Sequence, residues 1–292
     1  MPLRILDIGK QFRSNTSHVY PPFKKGRYME EYCYEMLSSK KDDIQTDMVY
    51  LPIFWTNLQN HPGFASMKAK YQIILDHAIS SLPLNTQYMT IVQHDDGPQL
   101  KIPKNTIIFG ACTGTIPLPL IYEDTSQRLL SEPRCPKIQL ASFVGTYTTH
   151  PLREELFRTL QKEDIVWNGK RVWSSSVKEQ DASLFIEQTL QSKFCLAPRG
   201  YGRSSFRFFE AMLLDTIPVY VWDDIEWLPY REILDYSTFS ISISKNELPH
   251  LHDILSSIST ETYENMLTTM KKNRHWFTLE GMVDYIVKRI QS

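Results

Sequence analysis

Residues 199–210 read Arg-Gly-Tyr-Gly-Arg-Ser-Ser-Phe-Arg-Phe-Phe-Glu. Cations, hydroxyls and a carboxylate this close together can bind an anion attached to something with hydroxyls of its own. Gly200 and Gly202 allow unusual backbone conformations and admit a ligand closely. The spacing predicts a helix starting near Ser204, whose free amides and positive dipole end favour negative charge. Arg199, Arg203 and the hydroxyls of Ser204 and Ser205 add charge and donors at the same point. On that helix Arg203, Arg207 and Glu210 fall at i, i+4 and i+7, along one face. A carboxylate one or two turns inside a phosphate-binding helix is placed to accept hydrogen bonds from a ribose. The plainer alternative is a glycine turn ahead of a helix, with Arg207 and Glu210 paired structurally. No Gly-Lys-Ser/Thr follows the glycines, and Gly-x-Gly-x-x-Gly is absent, so neither the P-loop nor the dinucleotide fingerprint is present.

Such a loop has to be held between a strand and a helix. The chain provides an apolar strand at 194–197, a helix over 203–214 and a second strand at 217–222. The same alternation runs throughout, which predicts an α/β protein with parallel sheets. Strands are expected at 5–8, 48–51, 88–92, 106–109 and 140–145, and helices at 26–38 and 151–160. Phe64, Met67, Tyr71, Ile74, Leu75, Ala78 and Ile79 recur at three-and-four spacing, one face of a long helix ended by Pro83. Residues 239–243 alternate like an edge strand, and three helical patterns follow. Residues 116–136 carry four prolines and read as irregular chain,. This places a boundary between a domain of residues 1–130 and one of residues 131–292. The expectation is two Rossmann-like, doubly wound domains facing across a cleft, with ligands outside the carboxyl ends of the strands.

A chain of 292 residues suits two compact domains,. A formal net charge of -1 supplies no field to gather nucleic acid,. No apolar run is long enough to span a bilayer. Cys33, Cys112, Cys135 and Cys195 form no C-x-x-C pair and sit beside no histidine at zinc-ligand spacing. The sequon Asn15-Thr16-Ser17 follows no secretion signal, so the chain is expected to be cytoplasmic and the sequon to be coincidental.

From Ser205 the run Ser-Phe-Arg-Phe-x-Glu-Ala, then Ile217-Pro-Val, Leu228-Pro-Tyr and Leu234-Asp-Tyr-Ser-Thr-Phe-Ser, resembles the nucleotide-sugar half of the exostosin-like glycosyltransferases. Upstream, Ala141-Ser-Phe-Val-Gly-Thr with Pro151-Leu-Arg153 is similar to that family's strand, glycine and arginine-bearing helix. Asp43 to Trp55 resembles the family's segment before its first proline-terminated strand, and His94-Asp95-Asp96-Gly97 resembles the His-Asp-x-Gly of xylan-type members. The resemblance implies a GT-B fold and inverting transfer from a uridine diphosphate sugar to a glycan. The leading donor is UDP-xylose, giving a β linkage. Carried over by position, Arg199, Ser205, Arg207 and Glu210 are donor contacts, and Gly200, Arg203 and Ser204 complete the loop. The membrane anchor and stem of eukaryotic members are not found in this sequence.

Inverting transfer needs a stabilised leaving diphosphate, a base for the acceptor hydroxyl and the two reactants held in line. Fixed cations and helix amides can meet the first need, and no Asp-x-Asp motif is present, so no metal and no cofactor are expected. The base is expected at Asp95, after the strand at 88–92, with His94 and Asp96 beside it. The other reading of Asp95-Asp96-Gly97-Pro98 is a simple turn. Asp7 is the next candidate, followed by Glu123 and Asp124. Tyr122, Trp167, Trp173, Tyr201, Trp222 and Trp227 are candidates for stacking, against the commoner reading of aromatics as core. Trp222 and Asp223 end a strand where donor loops sit and are expected near the sugar. Two other functions compete: a non-catalytic nucleotide-sugar-binding module, and an epimerase, which the missing dinucleotide fingerprint disfavours.

Overall fold

A computed structural model describes residues 1–15 and 20–291, so Thr16 and Ser17 of the sequon lie outside the described residues. The chain forms two units. The first comprises Met1–His18, Gly26–Glu123 and Thr278–Ser292, and the second Val19–Lys25 and Asp124–Phe277.

The first unit is built on β1 (Arg4–Ile5), β2 (Met48–Tyr50), β3 (Gln87–Val92), β4 (Thr106–Gly110) and β5 (Ile116–Pro117), which lie side by side in chain order. Every pair is parallel, so the longer returns cross a face of the sheet, whereas a short loop, 111–115, joins β4 to β5. The early crossovers carry α1 (Met29–Ser39), α2 (Trp55–Gln59) and α3 (Phe64–Ser80). Val49, Leu51, Tyr88 and Val92 from the strands meet Trp55, Phe64 and Leu75 from the helices in one core. Tyr71, Ile74, Ala78 and Ile79 of the α3 stripe pack against that core, whereas Met67 stays 37% exposed. The Trp55 indole donates to Thr90 Oγ1 at 2.9 Å, which satisfies its one polar group inside the core,.

The second unit contains α4 (Arg128–Ser131), β6 (Gln139–Thr146), α5 (Pro151–Thr159), β7 (Ile165–Lys170), α6 (Glu179–Gln191), β8 (Ser192–Pro198), α7 (Phe206–Leu213), β9 (Ile217–Trp222), β10 (Ile241–Ser244), α8 (Leu251–Ser257) and α9 (Thr260–Asn273). Its strand order is β10-β9-β8-β6-β7, parallel throughout. The second strand of this set lies to one side of the first and the third lies to the other, which is the doubly wound order. The reversal falls between β6 and β8, and the carboxyl ends of those two strands form the crevice where ligands of such sheets bind. As expected, β10 is an edge strand.

Unit boundaries differ from the proline-based division. The units part at Glu123 and Asp124, and the final helix, α10 (Leu279–Gln291), belongs to the first unit. It buries Met282, Val283, Tyr285 and Ile286, and Ile290 O accepts from Thr46 Oγ1 at 2.5 Å. Residues 20–25 belong to the second unit, where Phe23 lies 5.8 Å from the Phe185 ring. Apolar spacing shows which residues are buried but not which sheet buries them. Among the described residues no helix is long and apolar enough to cross a membrane.

Candidate functional site

The crevice at the strand-order reversal is organised by two arginines. Arg153 enters from the first turn of α5, which proline starts at Pro151,. Its side chain is buried and its planar fork donates to three carbonyls: Nε to Arg199 O at 2.9 Å, Nη1 to Thr146 O at 2.7 Å and Nη2 to Pro198 O at 3.2 Å,. The carboxyl ends of β6 and β8 are tied together through this one group. Gly200 is shaped by the same neighbour, since a Cβ there would lie 3.0 Å from Arg153 Nη2. Gly200 supplies room, and its φ lies outside the left-handed region.

Arg207 comes from α7 and reaches the end of β6, donating Nε to Val144 O at 2.6 Å and lying 5.0 Å from the Phe143 ring centroid. Gly145 has φ +151°, and a Cβ there would stand 1.7 Å from Arg207 Nη2. The glycine is therefore required both by its backbone and by the guanidinium laid across it. Among the described residues no carboxylate comes within ion-pair distance of Arg207, in contrast to Arg199 and Arg203. Ser205 is the N-cap of α7, yet its hydroxyl makes no capping bond and, among the described residues, has no hydrogen-bond partner although only 4% of the residue is exposed. A buried hydroxyl and the first-turn amides of a helix, beside a cation without a counter-ion, are groups that an anion would satisfy. Ser204 is buried next to them, and Glu210 is buried on the same helix.

The helix begins at Phe206 rather than near Ser204, so Arg203 lies outside it and does not share a helix face with Arg207 and Glu210. Instead Arg203 Nε meets Asp224 Oδ2 at 2.8 Å, and its guanidinium lies 5.8 Å from the Trp227 ring. Arg199 Nη1 contacts Asp223 Oδ1 at 3.0 Å and Asp224 Oδ1 at 2.7 Å, while Nη2 donates to Tyr201 O at 3.1 Å. Burial works to raise the Asp224 carboxyl, but the Arg203 hydrogen bond and the two guanidinium charges outweigh it, and the group sits below the usual carboxylate range. His150 caps α5, its Nδ1 accepting from Leu152 N at 3.3 Å, and its Nε2 lies 3.7 Å from Asp223 Oδ2. Burial and the neighbouring Arg199 charge push its pKa down, which favours neutral imidazole.

Tyr20 carried no signal in the sequence. Its ring stands edge-on to Trp173 at 5.5 Å and to Phe206 at 6.1 Å. Burial raises its hydroxyl pKa, with the charges of Arg207 and Glu210 next in effect, so it borders α7 beside these two residues. Trp173 is 52% exposed and, being a donor only, gives its N–H to the Tyr20 hydroxyl,. The other aromatic candidates lie elsewhere. Trp167 packs on the core and donates to Leu160 O at 2.9 Å. Trp222 donates to Ser242 Oγ at 3.1 Å, so its indole is committed to the neighbouring edge strand. Trp227 is buried, Tyr201 is exposed, and Tyr122 bridges to Tyr28 in the first unit.

Asp7, His94, Asp95 and Asp96 belong to the first unit. His94 to Gly97 form a tight turn directly after β3: Gly97 N donates to His94 O at 3.0 Å, Asp96 N donates to His94 Nδ1 at 3.2 Å, and Gly97 has φ +71°. The turn leaves both carboxylates exposed at the carboxyl end of the strand. Burial lowers the His94 pKa despite the adjacent aspartates. Asp7 Oδ1 accepts from Gly9 N at 3.1 Å. Glu123 is taken up by Arg27, which donates to it from the backbone and Nε at 2.8 Å and from Nη2 at 2.5 Å. Asp124 Oδ2 accepts from Arg128 N at 2.9 Å at the start of α4. Glu30, invisible as a candidate in the sequence, is fully buried beneath the β3 turn. It accepts from Gln93 N at 2.8 Å and from Thr56 N and Oγ1 at 3.0 Å. Among the described residues no three His, Cys, Asp or Glu side chains gather as metal ligands.

The exostosin GT47 domain matches residues 101–258 of the chain. A probable glycosyltransferase of Arabidopsis thaliana is 39% identical over 88 residues, 30% of this chain and 18% of that protein. A probable beta-1,4-xylosyltransferase of the same plant is 34% identical over 97 residues, 33% of this chain and 23% of that protein. The matched stretch thus spans about a fifth of these relatives' own length. Among solved structures, an alpha1,3-fucosyltransferase aligns with 80% of this chain and 75% of its own at TM-score 0.39 and 16% identity.

Proposed function

The chain belongs to the exostosin GT47 domain family, and from that premise we propose that it is an inverting glycosyltransferase whose donor, a uridine diphosphate sugar, binds at the strand-order reversal of the second unit. The observation that carries this reading is the combination at α7: among the described residues, a guanidinium without a counter-ion, Arg207, and a buried hydroxyl without a partner, Ser205. These donors, with Ser204 and the first amides of α7, take the diphosphate and stabilise its charge as the sugar departs. Arg199, Arg203 and Gly200 shape the outer side of the loop. Glu210, inside the helix, accepts from the ribose. Asp95 takes the acceptor proton, with His94, Asp96 and Asp7 as neighbouring groups for a glycan acceptor.

UDP-xylose, transferred with a β linkage, is the leading donor. The His94-Asp95-Asp96-Gly97 segment and a probable xylosyltransferase among the relatives support it. The test is to incubate the chain with single UDP-sugars and a panel of oligosaccharide acceptors and to measure release of uridine diphosphate. Acceptor-dependent release is expected, greatest with UDP-xylose. Release from another UDP-sugar alone would reject xylose. Binding of uridine diphosphate without any acceptor-dependent release would leave a binding module in place of an enzyme.

A further inference from the structure

The two arginines nearest the glycines already have counter-ions, held in an unusual way. Asp224 uses one oxygen for Arg199 Nη1 at 2.7 Å and the other for Arg203 Nε at 2.8 Å, bridging two guanidinium groups as a phosphate would. Asp223 adds a second contact to Arg199 Nη1 at 3.0 Å. The other nitrogens of Arg199 face Tyr201 O at 3.1 Å and Gly200 O at 3.4 Å. A diphosphate oxygen therefore reaches Arg199 Nη1 only by displacing a carboxylate. These residues are 11% to 40% exposed, so the exchange takes place at the surface, where it is reversible and screened,. The carboxylates follow β9, the strand beside the glycine loop, and His150 faces Asp223 from the other side.

Resting on the donor reading above, we propose that Asp223 and Asp224 determine which donor sugar the site accepts: they hold Arg199 and Arg203 until a diphosphate takes the guanidinium groups, and the displaced carboxylates then accept hydrogen bonds from the hydroxyls of a neutral sugar. The charge count gives the selectivity. Two arginines and two aspartates sum to zero, and a diphosphate makes the cluster negative. A uronate sugar would bring a further carboxylate against Asp223 and Asp224, and like charges at this range repel. A neutral pentose or hexose brings only donors and weak acceptors, which fit a released carboxylate.

The test is a calorimetric titration of the wild type, Asp224→Asn and Asp223→Asn with uridine diphosphate, UDP-xylose and UDP-glucuronic acid, with thermal melts to establish that each variant is folded. Replacing an internal competitor by a neutral isostere should tighten binding of free uridine diphosphate at least threefold. The wild type should prefer UDP-xylose to UDP-glucuronic acid by tenfold or more, and the preference should shrink at least threefold in the variants. Unchanged or weaker uridine diphosphate binding in folded variants overturns the proposal, because the aspartates would then be preorganising the arginines rather than competing for them. Equal wild-type affinity for the two UDP-sugars also overturns it. Both results leave the donor site standing, whereas a wild type that binds none of the three nucleotides removes the donor site and this inference together. Should Asp224→Asn fail to fold, Asp223→Asn carries the same comparison.

Discussion

At Gly145 the difference between a hydrogen and a methyl group decides whether Arg207 can stay across the end of β6. A Cβ 1.7 Å from Arg207 Nη2, on a backbone at φ +151°, cannot be absorbed by a small shift. Gly145→Ala is expected to cost about 1–3 kcal/mol of stability through strain and to weaken uridine diphosphate binding at least tenfold by pushing the guanidinium away. A melt and a nucleotide titration on the same preparation check both, and normal nucleotide affinity would show that Arg207 does not serve the donor. Asp95 makes the opposite kind of prediction. Asp95→Asn keeps the turn and removes the basicity, so turnover should fall by about two to four orders of magnitude while donor affinity is kept. Near-normal turnover would move the base to Asp7 or Asp96. The arginines and serines of the loop were legible because they are adjacent in the chain. Their partners were not: Asp224 lies 21 residues beyond Arg203 and 25 beyond Arg199, and Arg153 reaches Arg199 O from 46 residues upstream. Spacing within a segment reports a shared helix face, whereas a contact between strand ends depends on sheet order.

Among the elements, strands and helices with strong apolar periodicity were readable, and α3, β3, β8 and β9 lie within a few residues of their expected positions. The start of α7 was misplaced because Arg203 and Ser204 are acceptable helix formers. Asp224 and the Tyr220 hydroxyl, which donates to Arg203 O at 2.7 Å, hold that stretch in a loop instead. β7 went unread because only Ile165 of its six residues is buried. The N-terminal ends of α1 and α2 and the end of β3 converge on Glu30, a junction that only the folded sheet creates. Burial pushes the Glu30 carboxyl up to about 8, against the pull of its Gln93 and Thr56 donors. A carboxyl whose folded pKa is raised contributes stability that is complete below its unfolded value near 4.5 and is lost as pH climbs through about 8,. The wild type is therefore expected to lose melting temperature between pH 5 and 8 relative to Glu30→Gln, which cannot ionise. Parallel pH profiles for the two proteins would show that Glu30 is already a carboxylate throughout this range.

For the whole molecule, the alternation of strands and helices disclosed two parallel-sheet units, the parts from which GT-B enzymes are built. It did not disclose their exchange of segments. Residues 20–25 join the second unit and α10 returns to the first, because amphipathic stretches carry no address for the sheet they cover. One consequence is that Tyr20, from the N-terminal end of the chain, borders α7, so the proposed donor site draws on segments far apart in sequence. The proposed donor site of the second unit holds the nucleotide through Arg207. The most direct measurement is a calorimetric titration of uridine diphosphate into the wild type and Arg207→Ala, each shown to be folded by its melt. Loss of a charge-assisted hydrogen bond costs about 1.5–3 kcal/mol. The expected result is saturable binding to the wild type and at least tenfold weaker binding to the variant. No binding to the wild type, or equal affinity in the two proteins, would show that Arg207 does not hold a nucleotide there.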